Sequence, residues 1–390
     1  MIVLVEAQRT GQEHASFNAA LLETVLTAYP DDAVIFLGQG EHLGWVQRAY
    51  EDASGPVPSR VEWREISIPP KGTGGIRRLP DERGWCRSVA ALARSETVRA
   101  VILCSVTDTG LFLLNTLLRF RPSRVPLLVV MHSSLSAIAE PYRRKPWNWF
   151  CDFRQLLRSR QPARLRYVAL GSAIYQAVCE LLPRAAESFV SLDLPCLWVR
   201  HAVAERSPDP CVRFGFFGAP RPGTGFELFC QLATDMRGYI ADGRCEFVLV
   251  GFLSKDAPDY ATDNVAGVSR EPLPMEEYSR RGDAITYSIW AGDPAKYRLT
   301  ASASFVDTLS YIKPGIFLKA PYVKSYCDQM GDSGYLCDDY EGMLRVATSL
   351  VEGFPQERYS AQCGNILRTR EMCSPQVLGP QLREIVERIR

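Results

Sequence analysis

The sequence predicts two α/β domains of the Rossmann-like type. The chain has 390 residues, more than the roughly 250 to 300 at which a single hydrophobic core stops growing. Short apolar runs alternate with longer helical patterns in both halves, as βαβ crossovers of a parallel sheet require. A polar stretch with two prolines, 204–210, separates the halves and has the composition of a linker. We therefore expect one domain over 1–205, a second over 211–375, and a C-terminal helix, 376–390, that packs back on the first domain.

In the first half, six short apolar runs predict strands and six longer segments predict helices. The strands are Met1–Val5, Ala33–Leu37, Val61–Ile68, Ala100–Cys104, Leu127–Met131 and Tyr167–Leu170; the helices are Ala15–Ala28, Leu43–Asp52, Trp85–Ser95, Leu111–Arg119, Trp147–Arg158 and Ile174–Leu182. A second alternation follows the linker. Its predicted strands are Val212–Phe217, Phe247–Val250, Ala284–Ile289 and Gly315–Leu318, and its helices are Gly225–Met236, Glu276–Arg280 and Ser304–Tyr311. Ligands of such sheets bind at the carboxyl ends of the strands, so we expect the two domains to face each other across a cleft.

Composition excludes several classes of protein. Hydrophobic residues make up 46% of the chain and the formal net charge is +1, so the chain is globular and no global field favours nucleic acid. The first residues are too short for a signal peptide, and charged residues interrupt every apolar run that could span a bilayer. The 12 cysteines are scattered without a C-x-x-C pair, which predicts small buried residues and favours a reducing cytoplasm.

A glycine-rich turn in the second half is the first candidate ligand site. The segment 212–226 is an apolar strand that runs into a loop with Gly218, Arg221, Gly223 and Gly225 and then into a helix. Glycines let backbone amides approach a phosphate, and a helix N-terminus attracts an anion. Arg221 can offer a fork of donors to a diphosphate. Such turns also occur without a ligand, so the loop alone does not decide between phosphate binding and a plain structural turn.

A second segment, 297–318, has small hydroxyl residues at a predicted helix start. Ser302 or Ser304 would cap the helix and leave its first amides for a phosphate, with Tyr297 beside them. Asp307, one turn inside, would accept hydrogen bonds from a ribose hydroxyl pair. The alternative is an ordinary N-cap followed by a favourable acidic residue.

The order of these motifs resembles the carboxyl-terminal half of GT-B glycosyltransferases, and most closely glycosyltransferase family 4. The glycine-rich turn is followed by 247–251, 273–278, the helix with Asp307, Lys313-Pro314 and 331–343. The resemblance implies that Arg221 binds the donor diphosphate and that Asp307 binds the nucleotide ribose. The family's loop lysine is replaced by Thr224, and the first of its paired glutamates by Leu299. Tyr297, Arg298 and Asp293 are candidates to substitute for that missing acid.

The first half would then hold the acceptor. His132 follows the strand Leu127–Met131, and the resemblance implies a histidine near the donor sugar there. An inverting reaction needs a base for the acceptor hydroxyl, and Glu13, His14 and Asp108 are candidates because they follow predicted strands. A retaining reaction needs no such base. Each of these residues could instead be an ordinary loop residue.

One basic cluster stands out, at 142–166. It contains eight arginines and lysines and one acid, and Trp147, Trp149, Phe150 and Phe153 are interleaved with them. Basic residues beside exposed aromatics suit an anionic membrane surface and a lipid-linked acceptor. The alternative is a basic helix whose aromatic residues pack inward.

The expected function is therefore transfer of a sugar from a nucleotide-sugar donor to a saccharide or glycolipid, in polysaccharide or glycolipid assembly. No D-x-D motif occurs, and the histidines and cysteines lack metal-ligand spacing, so we expect no metal and no resident cofactor. A nucleotide-sugar epimerase or hydrolase of the same fold and a non-catalytic GT-B binding subunit are the alternatives. An NAD-dependent dehydrogenase is disfavoured because no G-x-G-x-x-G follows the first strand.

Overall fold

The computed structural model describes residues 1–70, 72–139, 146–198, 200, 202–203, 211–255 and 257–390, with the backbone alone at 133 and 146–148. The predicted linker, 204–210, lies outside the described residues. The chain divides into two compact units. Unit 1 comprises Met1–Leu197, Leu299–Ala301 and Met372–Arg390, and unit 2 comprises Trp198–Arg298 and Ser302–Glu371.

Unit 1 is built on a parallel sheet of seven strands in the order β3-β2-β1-β4-β5-β6-β7. The strands are β1 (Ile2–Glu6), β2 (Val34–Gly38), β3 (Val61–Glu65), β4 (Ala100–Ser105), β5 (Leu127–Met131), β6 (Leu165–Leu170) and β7 (Phe189–Leu192). The helices are α1 (Ala15–Ala28), α2 (Gly40–Ser54), α3 (Leu79–Leu92), α4 (Asp108–Phe120), α5 (Ser136–Ala139), α6 (Phe153–Arg158), α7 (Ser172–Leu181) and α15 (Pro375–Ile389). The strand order reverses between β1 and β4, so their carboxyl ends form the switch point where α/β sheets bind ligands.

Unit 2 has a parallel five-stranded sheet in the order β12-β11-β10-β8-β9. The strands are β8 (Val212–Phe217), β9 (Cys245–Val250), β10 (Tyr287–Trp290), β11 (Gly315–Leu318) and β12 (Gly334–Cys337). The helices are α8 (Phe226–Asp235), α9 (Arg237–Ala241), α10 (Met275–Ala284), α11 (Ala303–Ser310), α12 (Pro321–Met330), α13 (Tyr340–Glu352) and α14 (Gln356–Thr369). Here the switch point lies between β8 and β10.

The predicted helix over Trp147–Arg158 is wrong in its first half. The segment Pro146–Cys151 is a 3-10 helix, and α6 begins only at Phe153. Asp152 is the cause, because its carboxylate accepts a hydrogen bond from the Arg154 amide (2.9 Å) and so occupies the N-cap of α6. Asp at an N-cap is favoured, whereas Asp inside a helix competes with the backbone for hydrogen bonds.

Helix α15 packs along α1 in unit 1. Gly379 makes the close approach possible, since a Cβ at that position would lie 3.0 Å from the Ala28 amide nitrogen. Leu378, Leu382 and Val386 contribute to the core formed with α1 and the sheet.

In the part of the chain that the structure describes, no helix is long and apolar enough to cross a membrane. Nine of the twelve cysteines are buried. The prediction that most cysteines are small buried residues is confirmed.

Candidate functional site

The glycine loop, residues 218–225, connects β8 to α8 at the carboxyl edge of the unit 2 sheet. Gly225 has a φ of +87° and is the N-cap of α8. A Cβ at this position would lie 2.1 Å from the Ala291 carbonyl oxygen, so only glycine lets the loop lie against the end of β10. At Gly218 a Cβ would meet no described atom within 4 Å. The end of the loop is therefore packed against the end of β10. At Gly218 the backbone is hydrogen-bonded to Val250 (2.9 Å) and only the Cβ direction is open.

A second loop, the β10 loop (residues 291–298), is tied to the glycine loop at two points. The Asp293 amide donates to the Gly223 carbonyl oxygen (3.1 Å), and Lys296 Nζ donates to the Pro222 carbonyl oxygen (3.0 Å). The two loops therefore form one platform at the β8–β10 switch point.

The platform carries two cations, Arg221 and Lys296. Burial lowers the pKa of the Lys296 amine, and the charge of Arg221 lowers it further, while Asp293 and Glu227 act in the opposite direction. Thr224 has a structural task in the same loop. Its hydroxyl accepts from the Arg221 amide (3.1 Å) and donates to the Arg221 carbonyl (2.7 Å), which closes the turn that presents Arg221.

Ser302 rather than Ser304 caps α11. The Ser302 hydroxyl oxygen accepts from the Phe305 amide (3.3 Å) and from the buried indole N–H of Trp290 (2.9 Å), and it lies 3.0 Å from the Ser304 hydroxyl. Tyr297 is also buried, with its ring 4.9 Å from the Trp290 ring. These contacts fix the start of α11 at the end of β10.

Asp307 lies one turn into α11 and faces α10. Its Oδ2 accepts a hydrogen bond from the Tyr278 hydroxyl (2.8 Å). Burial raises the pKa of Asp307 to about 6, although the bond from Tyr278 opposes that rise. Tyr278 and Tyr311 pack on Phe217, the last residue of β8, with ring centroids 6.4 and 5.4 Å from it. Asp307 is thus held next to the strand that leads into the glycine loop.

In unit 1 the loop after β1 is anchored by a buried glutamate that the sequence prediction did not single out. Glu6, at the end of β1, accepts hydrogen bonds from the amides of Gln8 (2.9 Å) and Arg9 (3.0 Å) and from the Ser105 hydroxyl. Asn18 Nδ2 donates to Glu6 (3.0 Å) and to His42 Nε2 (2.8 Å), and His42 Nδ1 donates to the Gly11 carbonyl (2.7 Å). This chain of bonds spans β1, α1 and α2 and fixes the loop at its start and at Gly11.

The same loop ends at His14, which lies against His132. The two imidazole rings are 4.5 Å apart, and Phe17 packs on His132 at 4.4 Å. Burial lowers the pKa of His14 to about 4 and that of His132 well below its usual value. His132 Nε2 must donate to the Cys104 carbonyl oxygen (3.0 Å), which leaves Nδ1 as the acceptor nitrogen. Both rings are therefore neutral at physiological pH.

The structure brings these two histidines together, whereas the two acidic candidates have other contacts. Glu13 is half-buried and pairs with Arg9 at 3.6 Å. Asp108 is buried in the first turn of α4, where its Oδ1 accepts from the Thr109 amide (2.8 Å). Among the described residues, no group of three His, Cys, Asp or Glu side chains is arranged to hold a metal ion.

The basic segment is described only in part, since 142–145 lie outside the described residues. Trp149 is 55% exposed, whereas Phe153 is buried and Phe150 packs on Phe112 with centroids 4.9 Å apart. Arg154 donates to the carbonyl of Ile138 (2.7 Å), so this cation is engaged within unit 1.

Comparison with solved structures identifies the fold. Over the whole chain the structure is similar to Anabaena Alr3699/HepE in complex with UDP and glucose (14% identity, TM-score 0.63, 100% of each chain). It is also similar to a glycosyltransferase from Rickettsia africae (10% identity, TM-score 0.63, 100% of this chain and 98% of that one). A third match is the UDP-forming α,α-trehalose-phosphate synthase of Burkholderia vietnamiensis (11% identity, TM-score 0.61, 100% and 97%).

These likenesses confirm the predicted GT-B fold, with its two Rossmann-like α/β domains. No protein-family model and no curated protein sequence matches the chain. The narrower assignment to glycosyltransferase family 4 stays a prediction.

Proposed function

We propose that this chain is a glycosyltransferase that takes a sugar from a nucleoside diphosphate sugar and transfers it to a saccharide or lipid-linked saccharide. The observation that carries the proposal is the platform at the β8–β10 switch point. It presents Arg221 beside the N-terminus of α8. Among the described residues, no side chain caps this N-terminus. A diphosphate fits such a site because free amides, a helix N-terminus and a guanidinium all bind anions. The structural likeness to HepE with bound UDP supports the same choice of donor.

In the proposed donor site, Gly218, Arg221, Gly223 and Gly225 surround the diphosphate. Asp307 binds the ribose through Oδ1, since its Oδ2 is already bonded to Tyr278. Ser302 sets the direction of α11, and Ser304 and Tyr297 complete the site at its start.

For the acceptor we propose the switch point of unit 1. His14 lies at the end of the loop that the Glu6 network anchors, and His132 packs against it; both rings are neutral, so either can accept a hydrogen bond from a sugar hydroxyl. Glu13, His14 and Asp108 are the candidate bases of an inverting reaction, and the lowered pKa weakens His14 as a base. Replacing each of the four in turn (H14A, H132A, E13Q, D108N) should lower the rate of transfer and leave donor affinity unchanged if the residue acts on the acceptor.

We further propose that residues 142–166 contact a membrane surface, where the chain binds a lipid-linked acceptor. The exposed Trp149 is the residue of that segment best suited to a headgroup region. Sedimentation with vesicles containing anionic lipid should carry down wild type more than W149A. Equal sedimentation of the two proteins would remove this part of the proposal.

The test of function is a calorimetric screen of the purified protein against UDP, GDP, ADP, CMP and their sugar conjugates. Saturable binding of one nucleoside diphosphate by wild type, lost in R221A and D307A, is expected. R237A is a matched control, because Arg237 lies on α9 and bonds only the nearby Thr234 carbonyl (3.2 Å) among the described residues. Binding to none of the nucleotides would refute the proposal.

Turnover separates the alternatives. A transferase releases nucleoside diphosphate only when an acceptor is present, whereas a hydrolase releases it without one. A binding subunit retains the donor intact.

A further inference from the structure

We infer that Lys296 is the second cation of the donor diphosphate site and replaces, from the β10 loop, the lysine that the glycine loop lacks. The inference rests on the proposed function, since it assigns a residue to the same donor site. Lys296 lies 72 residues along the chain from Thr224 and outside both sequence segments described above.

Geometry places Lys296 on the glycine loop. Its Nζ lies 3.0 Å from the Pro222 carbonyl oxygen. Its Cδ would be 3.2 Å from a Cβ at Gly223, so the aliphatic stem crosses the loop where glycine leaves room. The Lys296 amine also lies over the Tyr297 ring, 5.6 Å from the centroid. The side chain is therefore held in place on both sides.

The platform has more positive than negative side chains, since residues 218–225 and 291–298 contain Arg221, Lys296 and Arg298 but only one acid, Asp293. The charge of Arg221 lowers the pKa of the Lys296 amine, and neither Arg221 nor Lys296 forms an ion pair with a carboxylate among the described residues. The charges of Asp293 and Glu227 act on the pKa of Lys296 in the opposite direction. Two like charges held together without a direct counter-ion are stabilised when a dianion binds between them.

Thr224 explains why the cation comes from elsewhere. Its hydroxyl closes the turn around Arg221 with two hydrogen bonds, of 3.1 and 2.7 Å. A lysine at this position would lose both bonds. In this chain position 224 shapes the loop and position 296 supplies the charge.

The experiment compares wild type, K296Q, K296R and K324M by calorimetric titration with UDP, UMP and uridine. K296Q keeps an N–H donor for the Pro222 carbonyl but removes the charge. K324M removes a lysine of unit 2 that pairs with Asp328 on α12. The structure predicts that K296Q weakens UDP binding by roughly 10- to 100-fold, the usual range for one charge-assisted hydrogen bond. Uridine binding should be unchanged, K296R should retain most of the affinity for UDP, and K324M should match wild type.

Three results would contradict the role of Lys296, and they have different consequences for the proposed function. If wild type binds UDP in an Arg221-dependent way and K296Q binds it equally well, Lys296 is not part of the site while the proposed function stands. If wild type binds neither UDP nor any other nucleoside diphosphate of the screen, the donor site itself is refuted, and the role of Lys296 with it. Loss of uridine binding in K296Q would mean that the substitution disrupts the loop and would also overturn the assignment.

Discussion

Replacing Gly225 by alanine tests how the donor platform is held together. The alanine would have a φ near +87°, a conformation that costs an L-residue about 1 to 2 kcal/mol. Its Cβ would also lie 2.1 Å from the Ala291 carbonyl oxygen, and such overpacking costs about 1 to 3 kcal/mol. Alanine also restricts the conformations of the unfolded chain, which stabilises the folded protein by about 0.4 to 1 kcal/mol. The expected net loss in the free energy of unfolding of unit 2 is therefore roughly 2 to 4 kcal/mol.

Gly218→Ala is the matched control. Gly218 has a φ of +92°, but a Cβ there would have no described neighbour within 4 Å. Only the cost of the positive φ and the restriction of the unfolded chain apply, so the expected loss in the free energy of unfolding is about 1 kcal/mol. The assay is hydrogen exchange of peptides from β8 and β10 along a urea titration, which follows unit 2 separately from unit 1. A G225A protein as stable as G218A would refute the conclusion that the two loops pack as one platform.

Four further predictions follow from particular contacts. Because the pKa of folded Asp307 is raised to about 6 from 3.8, the free energy of unfolding of unit 2 should fall as pH rises from about 4 to 6. Urea titrations of D307N should show no such fall, and a D307N profile identical to that of wild type would contradict this prediction. Because the pKa of buried Lys313 is lowered to about 8 from 10.5, stability should rise from pH 8 to 10.5, and K313M should flatten the rise. E6Q should destabilise unit 1 by about 1 to 3 kcal/mol in urea unfolding, because the NH2 group that replaces one carboxylate oxygen cannot accept a hydrogen bond from Asn18 Nδ2 or from the loop amides, whereas E51Q at an exposed position should not. If Arg221 stabilises the negative charge of the diphosphate leaving group, transfer activity should be unchanged in the presence of EDTA. A loss of activity in EDTA that added Mg²⁺ restores would contradict that role.

Much of the fold could be predicted because buried parallel strands and long helices have clear apolar patterns. Helix α1, with its small and apolar residues, and strands β5, β8 and β11 have the predicted bounds. Strands β7 and β12 were missed. Each has four residues, which is too short to show a clear period, and β12 also begins at a glycine within a polar turn.

The candidate site was predictable where motifs are local. The glycine loop and the helix start at 302–304 lie within short segments, and their residue types suggest anion binding and capping. Contacts between distant segments were not predictable in this way. Tyr278 meets Asp307 across 29 positions, and Glu6 meets Ser105 across 99. Such pairs come together only through the order of strands in the sheet, which no single motif encodes.

The proposal on which the others depend is that a nucleoside diphosphate sugar binds at the carboxyl edge of the unit 2 sheet. The measurement that tests it is hydrogen exchange of wild type and R221A with and without the nucleotide sugar that the calorimetric screen selects. Wild type should exchange more slowly at 218–228 and 291–298 when this nucleotide sugar is present, and R221A should show no such change. Protection confined to other segments, or the same protection in R221A, would contradict it.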